Sequence, residues 1–566
     1  MSAGSSPNAH SAKWLGIERM QNSEFKVNKF VDEAFDLDVG MNSTVGHAPK
    51  KEAPQLLSDA QVRFFLANGS LTLKTRLPDS FHASMFNSVR DMFGEDGAGN
   101  PGNNLLPLEP ALRNVIDDPI VKGAVTSIVG EDYWLHPHRF PHENTPGSDE
   151  QVWHHDSYWG YKRKVHDHRP WWVMVMYYPQ AIYPEIGPTG VAPGSYCLTR
   201  RPQDINAIGI PTTGDAGTCM MIHYDIWHRK MKNLTAHERF MVKFEFARMS
   251  RPRGVTWNAA DLDWQEPESP SQYPVPELYR QQWYWLAGKP LPRRATEEPG
   301  AVLKDSMSTL RQGTIAERRN AAIALGRMGA TAALAIEVLA DAVRDEDEVL
   351  SLNAAYALSA VGEPAISTLI ALMRGNDGEN VDDPRVLVDE GQHAEVEMTA
   401  RNAAHALASL GEAAALALAD LAHDAGPRVR KYAVYALGQI GWESPAVYDA
   451  LEAGARDDNA YVRINAIEAL GLMKGRAKTT AVLLEALRDE EDEVRFNAAQ
   501  SIARLAPDSP EVIAALKDAL YDGNRYVIGY ALEALERIGS PETVSLLIPY
   551  LKDARWCPMT SPKNQF

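Results

Sequence analysis

The sequence predicts a chain of two unlike domains: an antiparallel β jelly roll with flanking helices, followed by an all-α solenoid. At 566 residues the chain is too long for one hydrophobic core. Its front half contains short strand-like runs separated by turns with Gly and Pro, whereas its back half repeats an Asn-Ala-Ala-x-Ala-Leu motif. The first pattern is typical of antiparallel β domains, and the second of stacked helical repeats.

Residues 51–286 are predicted to form the β domain. Near residue 58 an amphipathic helix is expected in LSDAQVRFFLANGSL, and beyond residue 130 follow the strand-like runs YWLHPHRF, WWVMVMYYP, GTCMMIHYD and ERFMVKFEFAR. Many short strands of this kind favour a sandwich or a jelly roll, which is a double-stranded β-helix. Residues 1–50 are expected to be a loose tail, and the charged, Pro-containing residues 287–303 a linker.

The back half, residues 304–555, is predicted to be the solenoid. The motif is anchored at Asn320, Asn353, Asn402, Tyr432, Asn465, Asn497 and Tyr530. Each unit pairs two amphipathic helices, which cannot bury their apolar stripes alone and must stack on their neighbours. The pattern resembles the HEAT repeat family. One wider spacing implies an acidic insertion at about 375–395, expected to protrude as a loop, and residues 556–566 are left as a tail.

Composition excludes several classes of function. The residues from 301 onward include 26 Lys and Arg but 40 Asp and Glu. Because this negative charge repels the phosphate backbone, nucleic acid is disfavoured as a partner. No apolar run approaches the roughly 20 residues of a membrane-spanning helix. The first residues lack a secretory pattern, and three cysteines make no disulfide framework. A reducing, cytoplasmic location is therefore expected.

A metal site is indicated in the front domain. His154 and Asp156 lie two residues apart, so on a strand both side chains point to the same side, and His155 points away. A second imidazole can come from His228, or from its rival His223. Two imidazoles and one carboxylate that leave positions open on the ion are typical of non-heme Fe(II) oxygenases.

The surroundings of these residues make the pattern more specific. Arg239 follows His228 by eleven residues, on a strand whose Phe residues share the opposite face, and Asn233 lies between them. The turn GPTGVAPGSY separates the two ligand segments. The ordered set Trp-His-x-Asp, Pro-Gly-Ser, His-x4-Asn and Arg resembles the phytanoyl-CoA dioxygenase family across about residues 55–255.

The resemblance implies Fe(II) as cofactor, with 2-oxoglutarate and O2 as cosubstrates. His154, Asp156 and His228 would bind the iron. The residues expected to contact 2-oxoglutarate are Arg239 at its distal carboxylate, Trp172, Lys230 and Asn233. Trp171 is the neighbour with which Trp172 could be confused, and Lys230 replaces the small hydroxyl residue common in the family. The implied reaction hydroxylates or otherwise oxidises a small molecule while 2-oxoglutarate becomes succinate, since the family's halogenases lack a carboxylate at the position of Asp156.

Several alternatives remain at this stage. His136, His138 and Arg139 border the pocket or are structural. The basic segment YKRKVHDHRP, residues 161–170, grips an anionic substrate or is an exposed loop. The solenoid binds a protein partner on its concave face or covers the mouth of the site. A catalytically inactive domain within a repeat scaffold is the alternative function, and a Zn or Mn isomerase or lyase would leave Arg239 without a task.

Overall fold

Two antiparallel β-sheets form the front domain in the computed structural model, which describes residues 52–94, 100–156, 165–268, 271–294, 300–375, 392–424 and 426–553. The expected N-terminal and C-terminal tails and residues 376–391 of the acidic insertion lie outside these residues. The strands are β1 Ser70–Lys74, β2 Tyr133–Asn144, β3 Trp172–Tyr178, β4 Thr189–Val191, β5 Ile210–Pro211, β6 Thr218–His223, β7 His228–Lys230 and β8 Arg239–Arg248.

The large sheet has the strand order β1-β6-β3-β8-β2, and the small sheet has the order β5-β4-β7. Every neighbouring pair is antiparallel. A backbone bridge between His154 and His228 adds the His154 segment to the free edge of β7. The arrangement is the predicted jelly roll, with the segments of His154 and His228 side by side at the edge of the small sheet.

The two faces of the large sheet differ in chemistry, because successive side chains of a strand point to opposite sides. On β8, Phe240, Val242, Phe244 and Phe246 pack into the core beneath the N-terminal helices. The alternate residues of the strand face the small sheet instead, and these residues include Arg239, Lys243 and Glu245. Charged side chains are thereby directed into the interior of the jelly roll.

Seven helices surround the sheets in the part of the chain that is described before residue 295. They are Asp59–Asn68, Asp79–Phe93, Leu105–Leu108, Arg113–Asp117, Pro119–Val129, Ile205–Ile208 and Pro276–Leu286. The first of them begins at Ser58, whose hydroxyl and the Gln61 side chain form a capping box, and it ends at Gly69 in the left-handed conformation (φ 70°). The predicted helix near residue 58 is confirmed.

The solenoid begins with helix Gly300–Gln312 and continues as seven helix pairs. The first helices of the pairs, which carry the repeated motif, are Ile315–Met328, Glu348–Val361, Gln392–Ser409, Pro427–Ile440, Ala460–Gly471, Asp492–Leu505 and Arg525–Ile538. The second helices are Ile336–Val343, Ile366–Arg374, Glu412–Leu421, Pro445–Gly454, Ala477–Ala486, Pro510–Ala519 and Pro541–Asp553. First helices of successive pairs pack on one another, as the repeat pattern predicts.

A row of Arg–Asp pairs connects successive repeats. Arg463 on one first helix donates from Nε and Nη2 to the two carboxylate oxygens of Asp489, both at 2.9 Å. Oδ1 of the same carboxylate accepts from the backbone of Glu491, where the next first helix begins. Equivalent pairs join Arg319 to Asp347, Arg430 to Asp457 and Arg495 to Asp522. Each aspartate therefore accepts a backbone hydrogen bond at the start of one helix while it holds the preceding one.

Length and composition mark one stretch, Ile315–Val343, as apolar enough to cross a membrane. The structure divides this stretch into the two helices of the first repeat, joined by the 3-10 segment Gly329–Ala335. Half of its most apolar window is buried within the protein. Here the stretch is a core element of the solenoid.

The first helices of the solenoid contact the jelly roll directly. Trp134 of β2 packs on Tyr530 with ring centroids 4.6 Å apart, and Asn353 donates to the carbonyl of Pro274 over 2.8 Å. Apolar residues of the inner face of the β domain and of the first helices belong to one continuous hydrophobic cluster. Within the predicted linker, Arg294 pairs with Glu277 of the front domain.

Candidate functional site

Three side chains of the front domain converge as a candidate metal site. His154, Asp156 and His228 each offer one ligand atom, and these atoms all lie within 4.8 Å of one another. The backbones of His154 and His228 exchange two hydrogen bonds of 3.0 Å, which aligns the two imidazoles side by side. Oδ1 of Asp156 is 3.9 Å from Nε2 of His154 and 3.8 Å from Nε2 of His228.

Both imidazoles are oriented by backbone carbonyls. Nδ1 of His154 lies 2.9 Å from the carbonyl oxygen of Val152, and Nδ1 of His228 lies 3.0 Å from that of Ile226. A neutral imidazole that donates from Nδ1 keeps its lone pair on Nε2, the atom that faces Asp156. Burial lowers the pKa of His228 to about 4, so this ring is neutral at physiological pH. Two imidazoles and a carboxylate match the donor set that Fe(II) accepts in proteins.

A buried lysine holds the remaining oxygen of the carboxylate. Nζ of Lys243 is 3.0 Å from Oδ2 of Asp156 and 3.3 Å from Oε1 of Glu245. Burial by itself raises the pKa of Asp156, but the Lys243 ammonium and the neighbouring imidazoles outweigh it and hold that pKa below its ordinary value. The carboxylate is therefore ionised, with Oδ1 left toward the histidines.

Glu245 extends this network toward β2. Its Oε2 is 3.3 Å from Nδ1 of His136, and its Oε1 is 3.9 Å from Nε2 of His138. Burial lowers the pKa of His138 to about 4. The two histidines thus line the layer beneath the metal-ligand set. Lys243 and Glu245 were missed in the sequence, although the alternation that places Arg239 on the inner face of β8 places them there too.

Arg239 lies at the start of β8, buried, with part of its guanidinium in use. Nε and Nη2 donate to the carbonyl of Gly187 over 3.1 and 2.9 Å, while Nη1 is buried with no hydrogen-bond partner among the described residues. Gly187 has φ 68°, and a Cβ there would lie 2.3 Å from Nδ2 of Asn144. Only glycine thus lets this carbonyl reach the guanidinium. The remaining Nη1 donor fits a carboxylate ligand.

Lys230 and Asn233 are the other residues on this side that are predicted to contact 2-oxoglutarate. They differ in how far their polar atoms are already hydrogen-bonded within the protein. Nζ of Lys230 is 3.3 Å from the hydroxyl of Ser148, and burial together with the Arg239 charge lowers the pKa of Lys230. Nδ2 of Asn233 donates to the carbonyls of Asn144 and His237, and its Oδ1 accepts from Thr235. The amide of Asn233 is therefore used to hold the loop that precedes Arg239.

The adjacent tryptophans point in opposite directions. Trp172 lies on the inner face of β3, edge-on to His136 at 5.4 Å between ring centroids, and its buried Nε1 has no hydrogen-bond partner within the described ranges. Trp171 is directed at the solenoid, where its Nε1 donates to Oε1 of Gln439 over 3.3 Å. Trp172 is thus the tryptophan that faces the interior of the jelly roll.

His223, the rival of His228, lies outside the three-ligand set. Its ring stacks on Tyr196 at 4.5 Å between centroids, and its Nδ1 accepts from the backbone of Asp225 over 3.2 Å. Burial lowers its pKa to about 4. The structure places His228, and not His223, beside His154 and Asp156.

Comparison with known proteins identifies both halves of the chain. Residues 71–241 match the family model of phytanoyl-CoA dioxygenase (PhyH), and residues 307–383, 386–471 and 450–528 match HEAT repeats. The chain joins a PhyH-family domain to a HEAT-repeat solenoid. The predicted resemblance is confirmed for both parts. PhyH membership makes the front domain one of oxygenase type.

Solved structures similar to the PhyH domain have low sequence identity. The non-heme alpha-ketoglutarate-dependent carbocyclase SnoK from nogalamycin biosynthesis is 13% identical, with a TM-score of 0.29 over 35% of this chain and 88% of SnoK. EctD from S. alaskensis with bound Fe is 15% identical, with a TM-score of 0.30 over 43% of this chain and 87% of EctD. HygX from Streptomyces hygroscopicus with iron bound is 14% identical, with a TM-score of 0.28 over 38% of this chain and 95% of HygX.

The described part of the basic segment, residues 165–170, lies against the solenoid. Residues 157–164 lie outside the described residues, but Val165, Asp167 and His168 are buried. The ring of His168 stacks on His405 at 3.6 Å between centroids, and Oδ1 of Asp167 accepts from Gln439 over 2.7 Å. The interpretation of residues 165–168 as an exposed loop is therefore wrong. The first helices of the solenoid cover these residues and form hydrogen bonds with Asp167 and His168.

Proposed function

We propose that this chain is an Fe(II)- and 2-oxoglutarate-dependent dioxygenase that hydroxylates, or otherwise oxidises, a small molecule. The observation that carries the proposal is the set of two Nε2 atoms directed at one oxygen of Asp156. The unused buried Nη1 of Arg239 supports it, because that atom suits the distal carboxylate of 2-oxoglutarate. No acid, base or nucleophile beyond the metal ligands is assigned.

Each residue has a positioning task in this proposal. When bound, the ferrous ion and 2-oxoglutarate supply the activation of O2 that the side chains lack. His154, Asp156 and His228 bind one side of the ion and leave its other positions open for small ligands. Lys243 holds Asp156 in its ionised form, and the buried Trp172 excludes water from the interior beside His136.

On the cosubstrate side, Arg239 fixes the distal end of 2-oxoglutarate through a charge-assisted hydrogen bond. Lys230 takes the position of the usual small hydroxyl residue and contributes a second positive charge. Asn233 acts indirectly, because its amide holds the loop between the distal histidine and Arg239. The substrate is proposed to be a small molecule.

The HEAT solenoid in this proposal is a support for the PhyH domain. Its first helices bind the segment after the ligands through Tyr356, Gln439 and Asn465. Their inner face is covered by the front domain, so recruitment of a protein partner falls to the second helices.

A metal-free scaffold is the competing function, and one contact favours it. The Lys243 ammonium already pairs with Asp156, so this carboxylate has a cationic partner without a bound metal ion. On that view the domain would bind neither iron nor 2-oxoglutarate.

The two functions are separated by anaerobic spectroscopy of the full chain. Addition of Fe(II) and 2-oxoglutarate is expected to give a weak visible metal-to-ligand absorption band that disappears in His154→Ala and Asp156→Ala. The exposed His423→Ala serves as the control and keeps the band. Folded, iron-loaded wild type without the band would exclude the dioxygenase. Succinate release screened over metabolite pools then identifies the substrate.

A further inference from the structure

A second group of ligand-type side chains lies beside the first. His155, His166 and Asp225 each offer one ligand atom, and these atoms are within 4.8 Å of one another. Nδ1 of His166 is 3.1 Å from Oδ1 of Asp225, and the rings of His155 and His166 are 5.6 Å apart between centroids. The strand geometry that directs His154 to the first group directs His155 to this one.

The buried carboxylate of Asp225 has no hydrogen-bond donor among the described residues. Asp225 is 0% exposed, yet neither oxygen accepts a hydrogen bond from the described residues. Nε2 of His155 is also buried without a hydrogen-bond partner there. Burying an ionised carboxylate without hydrogen bonds is strongly unfavourable unless a cation compensates it. The 3.1 Å contact with Nδ1 of His166 does not count as a hydrogen bond to Oδ1 of Asp225.

Packing fixes the rings in this arrangement. Trp227 lies edge-on to His155 at 4.0 Å between centroids, and its indole nitrogen donates to the carbonyl of Leu198 over 3.0 Å. His166 follows Val165, whose backbone N–H donates to Oδ1 of Asn465 in the solenoid over 3.1 Å. The side chain of His166 is 23% exposed, which provides a path for an ion from solvent.

We propose that His155, His166 and Asp225 bind a second divalent cation of the Zn²⁺ class. Two imidazoles and one carboxylate with a fourth position open form a common tetrahedral zinc set. In this group, as in the first group, the three ligand atoms lie within 4.8 Å of one another. Ligand–metal bonds of about 2.0–2.2 Å require both groups to contract slightly around an ion.

The second ion would connect three parts of the chain. His155 adjoins His154, Asp225 precedes His228 by three residues, and His166 belongs to the segment that the HEAT repeats hold. An ion at this position therefore fastens the solenoid-bound segment to both ligand segments of the first site. The inference does not depend on iron or on 2-oxoglutarate at the first site.

The test is an anaerobic titration of the metal-free full chain with Co(II). This ion substitutes for Zn²⁺, and its visible d–d bands report the coordination number. The metal content per chain is measured after desalting. Wild type and the control His423→Ala are expected to retain two ions per chain. The pair His166→Gln with Asp225→Asn retains one, and so does the pair His154→Ala with Asp156→Ala. The ion that remains in the latter pair shows the intense bands of four-coordinate Co(II).

The outcomes distinguish failure at either site. One ion in wild type that is lost with His154→Ala and Asp156→Ala overturns the second site and leaves the first intact. One ion lost only with His166→Gln and Asp225→Asn supports the second site and excludes metal at the first. If the His166→Gln, Asp225→Asn pair does not fold, the wild-type stoichiometry and the spectrum of the other pair decide. An ion-free His154→Ala, Asp156→Ala chain overturns the proposal.

Discussion

The ammonium nitrogen of Lys243 lies 3.0 Å from Oδ2 of Asp156, with both side chains 5% exposed or less. This contact turns a candidate metal ligand into one half of a buried ion pair. It also determines which oxygen of Asp156 faces the histidines, so the orientation of the ligand is set before any ion binds. Removing the lysine would leave Asp156 and Glu245 as two buried carboxylates without their cation.

Lys243→Met is therefore expected to destabilise the metal-free chain by about 3–5 kcal/mol, the cost of breaking a buried ion pair. Added Co(II) should recover part of this loss, because a divalent ion replaces the missing positive charge. Thermal unfolding with and without Co(II) measures both effects. Lys232→Met is the control, since that exposed lysine pairs only with Asp149 among the described residues. Equal melting temperatures for metal-free wild type and Lys243→Met would contradict the assigned pairing.

Arg239→Lys tests the cosubstrate contact. A lysine ammonium lacks the planar guanidinium that can donate to the carbonyl of Gly187 and to a carboxylate at the same time. The dissociation constant of 2-oxoglutarate is therefore expected to rise about 10- to 100-fold, while metal affinity stays the same. Calorimetric titration of 2-oxoglutarate into the Co(II)-loaded chain gives the value. Arg90→Lys, on the surface of helix Asp79–Phe93, provides the matched control. Unchanged 2-oxoglutarate affinity would remove Arg239 from the site.

Tyr530→Ala tests the joint between the two parts of the chain. The ring of Tyr530 is 1% exposed and packs on Trp134, so its removal is expected to cost about 3–5 kcal/mol. Tyr521→Ala removes a ring that is 60% exposed and should cost no more than about 0.5 kcal/mol. Because one hydrophobic cluster spans both parts, calorimetry should show a single transition that shifts as a whole. Two transitions, of which only one shifts, would indicate independent domains.

Acid stability tests the buried histidine layer. His138 keeps a pKa of about 4 in the folded chain because of burial, whereas an unfolded histidine titrates near 6.5. Below pH 6.5 this histidine binds a proton in the unfolded chain but stays neutral in the folded chain. The free energy of unfolding therefore falls as the pH drops from 6.5 toward 4, by on the order of 3 kcal/mol for this residue. His138→Leu should show a shallower fall of melting temperature over this interval. The exposed His423→Leu should keep the wild-type slope, and identical slopes for all three chains would contradict the burial argument.

Much of the architecture was predictable because it depends on local periodicity. The helix pairs follow from apolar spacing within each repeat, and the strands follow from alternation. Alternation also separates His155 from His154, which is why the sequence excluded His155 from the first ligand set. The same rule indicates that Lys243 and Glu245 share the inner face with Arg239. Their partners could not be inferred, because Asp156 is 87 residues away from Lys243 along the chain.

The contact between the halves was not predictable from the repeat pattern. An apolar helical stripe shows that something must cover the helix, but it does not identify the covering element. In the sequence the repeated asparagine indicates only the anchor of the motif. In the folded chain Asn353 and Asn465 reach the carbonyl of Pro274 and the backbone of Val165, contacts that join residues 79 and 300 positions apart. The predicted linker likewise gave no sign that Arg294 is fixed to Glu277.

Free solenoids tolerate the gain or loss of a unit, since each repeat contacts only its neighbours. In this chain successive units meet different parts of the jelly roll: Glu348 binds the backbone of Thr199, Gln439 binds Asp167, and Tyr530 packs on Trp134. Deleting one unit would place the wrong side chain opposite each of these groups. The contacts with the jelly roll therefore fix the number of repeats. Lengthening or shortening the array by recombination should destabilise the protein far more than a substitution on the outer surface of the solenoid.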